Sequence, residues 1–353
     1  MKGYIEKLAK GKDVFVGVDL HRRQWHVTAR TDEEELFSGC LPATWEALGK
    51  LLLRFKGSLG IKVVYEAGYF GFWLHDRLVS RGYECIVTPP SLLPQESGNR
   101  VKTDRRDSRK MAFMLAKGML KRVWVPTKEQ CYHRHVARRR RQLIGDRVRV
   151  QNRIKADLRF YGIPLEGSRG KWSRVYVENL RRIQFGDPWM QESFDRLLEE
   201  YDFLSKHIKA QTDLLRKLSQ TELYRERVEI LQSAPGMGLV SAMELLLELQ
   251  DITRFRRADR LAAYVGLTPS QHSSGEKTRM GRITRAGKGT LRKVLVEASW
   301  VLVRTDEAMR QKYETIKARS GSKRAIVAIA RIFLLRIRRM LLDGRPYAMG
   351  LVG

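Results

Sequence analysis

Cysteine is almost missing from this chain. Its three cysteines, Cys40, Cys85 and Cys131, lie far apart and form no Cys-x-x-Cys pair, so neither a disulfide framework nor a zinc site is expected, and the expected compartment is a reducing cytoplasm. No apolar run reaches membrane-spanning length and no signal-peptide pattern opens the sequence, which argues against a membrane protein. Acid is scarce as well: 39 Asp and Glu stand against 68 Lys and Arg, a net charge of +29. Solubility needs far less, so a polyanionic partner is the natural inference, nucleic acid ahead of an anionic membrane surface. At 353 residues the chain can bury sizeable cores, enough for two or three domains.

Against that basic background four acids stand out by their order. Val14-Phe15-Val16-Gly17-Val18-Asp19 is a β-rich apolar run ending in a carboxylate, and Val63-Val64-Tyr65-Glu66 repeats the pattern. Lys102-Thr103-Asp104-Arg105-Arg106-Asp107-Ser108 then places two acids three apart; if a helix begins there they share one face, against which a divalent cation can sit. Taken singly, each acid reads as a helix cap or a solvated turn. Their order, strand Asp, strand Glu, Asp-x-x-Asp, is what makes a joint site. His21 follows Asp19 by two but a single His at a strand end is more often packed or solvated, and it is left outside the site.

Residues 1–126 read as an α/β domain. Strands at Val14–Asp19, Trp25–Ala29 and Glu35–Phe37 meander; then a helix over 45–55, a strand over 61–65, a helix over 71–81 and a strand over 84–87 alternate before Pro89-Pro90. Three meandering strands followed by β-α-β is the pattern of an RNase H-like domain. The aromatics Tyr69, Phe70, Phe72 and Trp73 beside Gly68 and Gly71 read as core, with base stacking as the alternative.

Residues 127–225 read as a basic helical region. A long helix carries Arg138, Arg139, Arg140 and Arg141, a solvated face or a set of phosphate contacts. A second helix repeats Phe194, Leu197, Tyr201, Leu204, Ile208, Gln211, Leu215 and Leu218 at alternating spacings of three and four. That is a heptad seam with Gln211 as its polar register setter, and pairing between chains is favoured over a hairpin within one. Residues 226–353 open on helix, Pro235-Gly236-Met237-Gly238, helix. This resembles a helix-hairpin-helix module, in which Gly236 and Gly238 let backbone N–H groups approach a phosphate; a tight helix turn is the plainer reading. Further on, Ser273-Ser274-Gly275 is hemmed by Lys277, Arg279, Arg282 and Arg285, where a backbone phosphate can meet a hydroxyl, although alone the tripeptide is only a turn.

The ordered set Val-Gly-Val-Asp19, Tyr-Glu66-Ala-Gly, Lys-Thr-Asp104-x-x-Asp107-Ser, Ala-Pro-Gly-Met-Gly, Gly-Leu-Thr-Pro and Ser-Ser274-Gly-x-x-x-x-x-Gly-Arg-Ile-Thr resembles the IS110 family of insertion-sequence transposases, over nearly the whole chain. The resemblance implies an α/β RNase H-like (RuvC-type) N-terminal domain with the tetrad Asp19, Glu66, Asp104 and Asp107. It further implies a helical coiled-coil insertion and a mainly α C-terminal domain bearing an essential serine, which falls on Ser274 with Ser273 as runner-up. It also implies DNA as substrate and a structured noncoding guide RNA from the same element. A homo-oligomer, dimer or tetramer, is expected. Four clustered carboxylates repel one another and need cations, and two Mg²⁺ ions are the expected cofactors. The rivals are a junction-resolving endonuclease that uses water and a non-enzymatic nucleic-acid-binding regulator; the intact acids argue against the latter.

Overall fold

The computed structural model describes residues 2–93, 104–164, 172–274, 277–284 and 286–350. Two compact units, residues 1–126 and 127–353, each hold their own core. No helix among the described residues is long and apolar enough to cross a membrane.

In the first unit α1 (Lys2–Ala9) precedes β1 (Asp13–Leu20), β2 (Gln24–Arg30) and β3 (Glu35–Pro42); α2 (Trp45–Leu53), β4 (Gly60–Glu66), α3 (Trp73–Val79), β5 (Glu84–Thr88) and α4 (Asp104–Ala116) follow. The five strands form one mixed sheet in the order β3-β2-β1-β4-β5. β1 runs antiparallel to β2 and parallel to β4, and β4 runs parallel to β5. β1 has a strand on either side and helices over both faces, which is why it reads as a continuous apolar run. One face packs Val14, Val16, Val18, Val63 and Tyr65 against Leu48, Leu52, Leu74 and Leu78 of α2 and α3. The other packs Phe15, Val64 and Ile86 against Met111 and Leu115 of α4. Tyr69 departs from the core reading: it is 81% exposed and stacks on Phe70 at 4.2 Å, whereas Phe72 packs against the core.

The second unit contains α5 (Lys128–Phe160), α6 (Arg174–Arg181), α7 (Pro188–Ser219), α8 (Arg225–Gln232), α9 (Leu239–Leu249), α10 (Ala258–Val265), the hairpin β6 (Pro269–Ser274) and β7 (Lys277–Ile283), α11 (Gly289–Thr305), α12 (Glu307–Ser320) and α13 (Ser322–Asp343). Near their chain connection α5 and α7 enclose α6 in one apolar cluster. Toward their other ends Ala137 and Leu215 join the cluster of α8 to α13, centred on Phe333, Leu334 and Ile337.

The heptad seam packs against α5 within the chain, the hairpin alternative to pairing between chains. Contacts Arg140–Thr212, Arg147–Ser205 and Arg153–Glu200 set α5 and α7 antiparallel, and Phe194, Tyr201, Leu204 and Ile208 are buried against Leu143, Val150, Ile154 and Leu158. The double change Leu204→Asp with Ile208→Asp is therefore expected to melt this helical hairpin, since each buried unpaired charge costs several kcal/mol. Circular dichroism should show lost helicity and a lower melting midpoint. A well-folded monomer arising from an oligomer would show instead that the seam pairs chains.

Candidate active site

The parallel pairing of β1 and β4 ends at Val18 opposite Tyr65, and the next residues on each strand are Asp19 and Glu66. Side chains alternate along a strand, so Asp19 shares the face of Phe15 and Glu66 that of Val64, the face covered by α4. Adjacent strands lie about 4.8 Å apart. The two carboxylates therefore start side by side at the carboxyl edge of the parallel strands, both half-buried.

The helix α4 supplies the other two acids because it runs antiparallel to β1. Met111 and Leu115 pack at the level of Phe15, Ser108 lies over Gly17, and the first turn, holding Asp104 and Asp107, comes toward Asp19. Gly17 is what lets the helix sit so close: a Cβ there would overlap the Ser108 carbonyl oxygen and lie 2.7 Å from the Ala112 nitrogen. A glycine inside a strand marks such a backbone approach. Asp104 is located by its backbone, as the first residue of α4; its side chain lies outside what is described. Among the described residues no group of three or more His, Cys, Asp or Glu is close enough to hold a metal. The donor chemistry of the four positions, carboxylate oxygen throughout, nonetheless suits a hard divalent cation such as Mg²⁺.

Two neighbours of this site carry weight that the sequence reading did not give them. His21 Nε2 lies 3.3 Å from Asp19 Oδ2, so the histidine set aside on sequence touches the first acid. Ser108, directly after Asp107, is buried with His26 and Thr28. Its Oγ lies 3.2 Å from the Arg105 carbonyl oxygen, 2.7 Å from His26 Nδ1 and 2.9 Å from Thr28 Oγ1. Thr28 Oγ1 in turn lies 3.2 Å from Ser38 Oγ. This polar chain ties the first turn of α4 to β2 and β3 and so fixes the backbone that carries Asp107.

In the second unit α10 ends in a left-handed Gly266, φ +78°, with its N–H on the Ala263 carbonyl and the Leu267 N–H on that of Ala262. This helix stop turns the chain through buried Leu267 into β6, and a bond from the Thr284 N–H to the Thr268 carbonyl closes the hairpin base. Ser273 and Ser274 pair with Thr278 and Lys277. They are thus the last residues of a strand, not of an isolated turn, with two residues linking to β7. The side chains of Ser273, Ser274, Lys277 and Arg279, and all of Arg285, lie outside the described residues; Arg282 is exposed.

The arginine run is largely engaged within the chain. Arg138 forms a two-pronged pair with Glu248 at 2.9 and 3.0 Å, Arg140 Nε donates to Thr212 Oγ1 at 2.8 Å, and Arg141 lies 3.4 Å from Glu244. Arg139 alone of the four is exposed. The cause is the pair of buried acids on α9: Glu248, with a side chain 4% exposed, also meets Arg134 and Lys288 at 3.6 Å. Burial by itself would raise the Glu248 carboxyl, but the Arg138 hydrogen bonds and the charges of Lys288, Arg138 and Arg134 outweigh it and hold it below the usual carboxylate range. Three of the four arginines are thus half-buried and held by partners within the chain. Gly236 likewise faces inward: with φ +81° it lies against α11, where a Cβ would be 2.5 Å from the Ala298 carbonyl oxygen. Gly238, the N-cap of α9, is open.

Comparison with known proteins agrees with this architecture. Residues 16–163 match the family model of the DEDD transposases of the IS110 type, described as "Transposase". Residues 228–314 match that described as "Transposase IS116/IS110/IS902 family". The chain is 31% identical over 277 residues to the y4qE protein of Sinorhizobium fredii, covering 78% of this chain and 67% of that one. It is 26% identical over 347 residues to the transposase for insertion sequence element IS1533 of Leptospira borgpetersenii, covering 95% and 97%. It is also 28% identical over 254 residues to the transposase for insertion sequence element IS1111A of Coxiella burnetii, covering 69% and 67%. A mixed sheet with acids at its carboxyl edge, matched as a DEDD domain and joined to a helical C-terminal region, defines a DNA transposase with an RNase H-like N-terminal fold. Within that class the chain belongs to the IS110 family.

Proposed function

We propose that this transposase cuts and rejoins DNA strands through a serine ester, under the direction of a structured noncoding RNA. The observation that carries the reading is the meeting of Asp19, Glu66 and the first turn of α4 at one sheet edge, in a chain of this family. DEDD transposase domains are typically metal-dependent, and Asp19, Glu66, Asp104 and Asp107 would hold the Mg²⁺, two ions being the expected number. Held by these carboxylates, such ions would offset the charge that builds on the scissile phosphate. Ser274 Oγ loses its proton and attacks phosphorus, the P–O bond to the DNA strand breaks, and the departing oxygen takes up a proton. The phosphoserine keeps the energy of the broken bond, and a DNA hydroxyl later attacks the same phosphorus to release the serine. His26, Thr28 and Ser108 hold the α4 turn that bears Asp107. Exposed cations, Arg139 and Arg282 among them, meet phosphate backbones of DNA and RNA, and a homo-oligomer brings two DNA partners together.

The test is a reconstituted reaction with purified protein, Mg²⁺, DNA spanning the element ends and a target, with and without RNA that co-purifies. One enriched RNA species is expected, encoded beside the gene and required for strand transfer. Transfer without RNA overturns the guided reading. Cleaved ends without joined products would make the enzyme a nuclease that uses water.

A further inference from the structure

Between the base of the serine hairpin and α13 lies a cavity of about 700 Å³, lined by Leu267, Pro269, Ile283 and Val327 among apolar residues and by Arg282, Lys323, Arg324 and Arg331. Arg324, Val327, Ala328 and Arg331 follow the i, i+3, i+4, i+7 spacing that puts them on one face of α13. That face alternates cation, apolar, cation, with the two arginines about 10 Å apart along the helix axis. The helix begins at Gly321 without a side-chain cap, so its first N–H groups add positive potential to the same end.

Charge in this unit is otherwise matched where it is buried, as around Glu248. Here Arg282, Lys323 and Arg324 are exposed and Arg331 half-buried, and among the described residues none of the four has a carboxylate partner. Four cations around an apolar floor suit a ligand that is anionic outside and flat and apolar inside. Duplex DNA presents its bases edge-on in the grooves, so a floor of aliphatic side chains gains nothing from it. An unstacked base presents its whole face and packs between apolar side chains, and the volume lies within the range of cavities that bury small ligands.

We propose that this cavity binds one unpaired nucleotide of a single strand, the base on Leu267, Ile283 and Val327 and the flanking phosphates on Arg282, Lys323, Arg324 and Arg331. It rests on the nucleic-acid reading of the chain but not on the identity of the nucleophile. The strand is DNA or RNA, which share this chemistry.

The test is fluorescence anisotropy of the full chain with an end-labelled twelve-nucleotide oligo(dT), its oligo(U) counterpart and a twelve-base-pair duplex, across a salt series. Arg324→Gln with Arg331→Gln should weaken the bound single strand at least ten-fold and reduce the slope of log affinity against log salt by about 1.4, two phosphate contacts at ~0.7 each. Arg174→Gln with Arg196→Gln, two exposed residues on α6 and α7, removes equal charge and should change affinity less than two-fold. Val327→Trp, which fills the floor, should weaken the single strand at least five-fold and leave the duplex within two-fold. Whichever oligonucleotide responds names the strand. Equal losses in the two double variants, or equal losses of single strand and duplex with Val327→Trp, overturn the proposal; melting curves confirm that each variant is folded. Covalent adduct formation reports on the catalytic reading separately.

Discussion

Ser274→Ala is expected to eliminate the covalent protein–DNA adduct and to lower strand exchange by at least ~10³-fold, the scale on which loss of a nucleophile acts. DNA binding should stay within a few-fold, because one hydroxyl contributes little beside a net charge of +29. Ser273→Ala should keep both adduct and exchange, at least in part. The backbone gives the comparison its force: both serines end the same strand and pair with successive residues of β7, and neither substitution removes a backbone group from that pairing. Mass spectrometry of the adduct decides the matter, and a DNA-linked peptide modified at any other residue refutes the assignment.

The second large effect concerns the acids. Asp19→Asn, Glu66→Gln and Asp107→Asn should each lower strand cleavage by about 10³-fold or more, since bound cations supply several kcal/mol of transition-state stabilisation. Stability should move the other way. Clustered carboxylates repel, so in chelator each variant should unfold at the same urea concentration as the parent chain or a higher one. Acids that merely cap a helix would give the reverse, a loss of about 1 kcal/mol with cleavage intact. That pattern in two of the three variants would remove the site.

The centre of the N-terminal sheet was legible because β1 and β4 are largely buried and apolar, and because the stretch over 45–55 between them is read as helical, as a parallel crossover requires. Asp19 and Glu66 stood out as the polar ends of those runs. Gly17 did not, although it decides how closely α4 approaches; a glycine in an apolar run gives no hint of what lies against it. The seam on α7 was visible as a pattern, but a heptad states only that a face is covered, not by which helix. Arg138 and Arg141 resembled a phosphate-binding surface because their counter-charges, Glu248 and Glu244, lie more than 100 positions away. The β6–β7 hairpin was read as a turn since Gln271-His272-Ser273-Ser274 has no apolar alternation and is held by backbone pairing instead. The α6 helix was missed for a similar reason: its eight residues follow a segment rich in glycine, serine and charge.

Because residues 1–126 pack as a unit of their own, the order of synthesis has a chemical meaning. Asp107 leaves the ribosome roughly 170 residues ahead of Ser274, on the order of ten seconds or more at about 5–20 residues per second. Throughout that interval a nascent chain carries the carboxylates and lacks the serine. On the proposed mechanism, messages cut short after the first unit would yield a protein able at most to hydrolyse a strand. If Ser274 is the nucleophile, its late arrival ties the capacity to rejoin DNA to synthesis of the second unit.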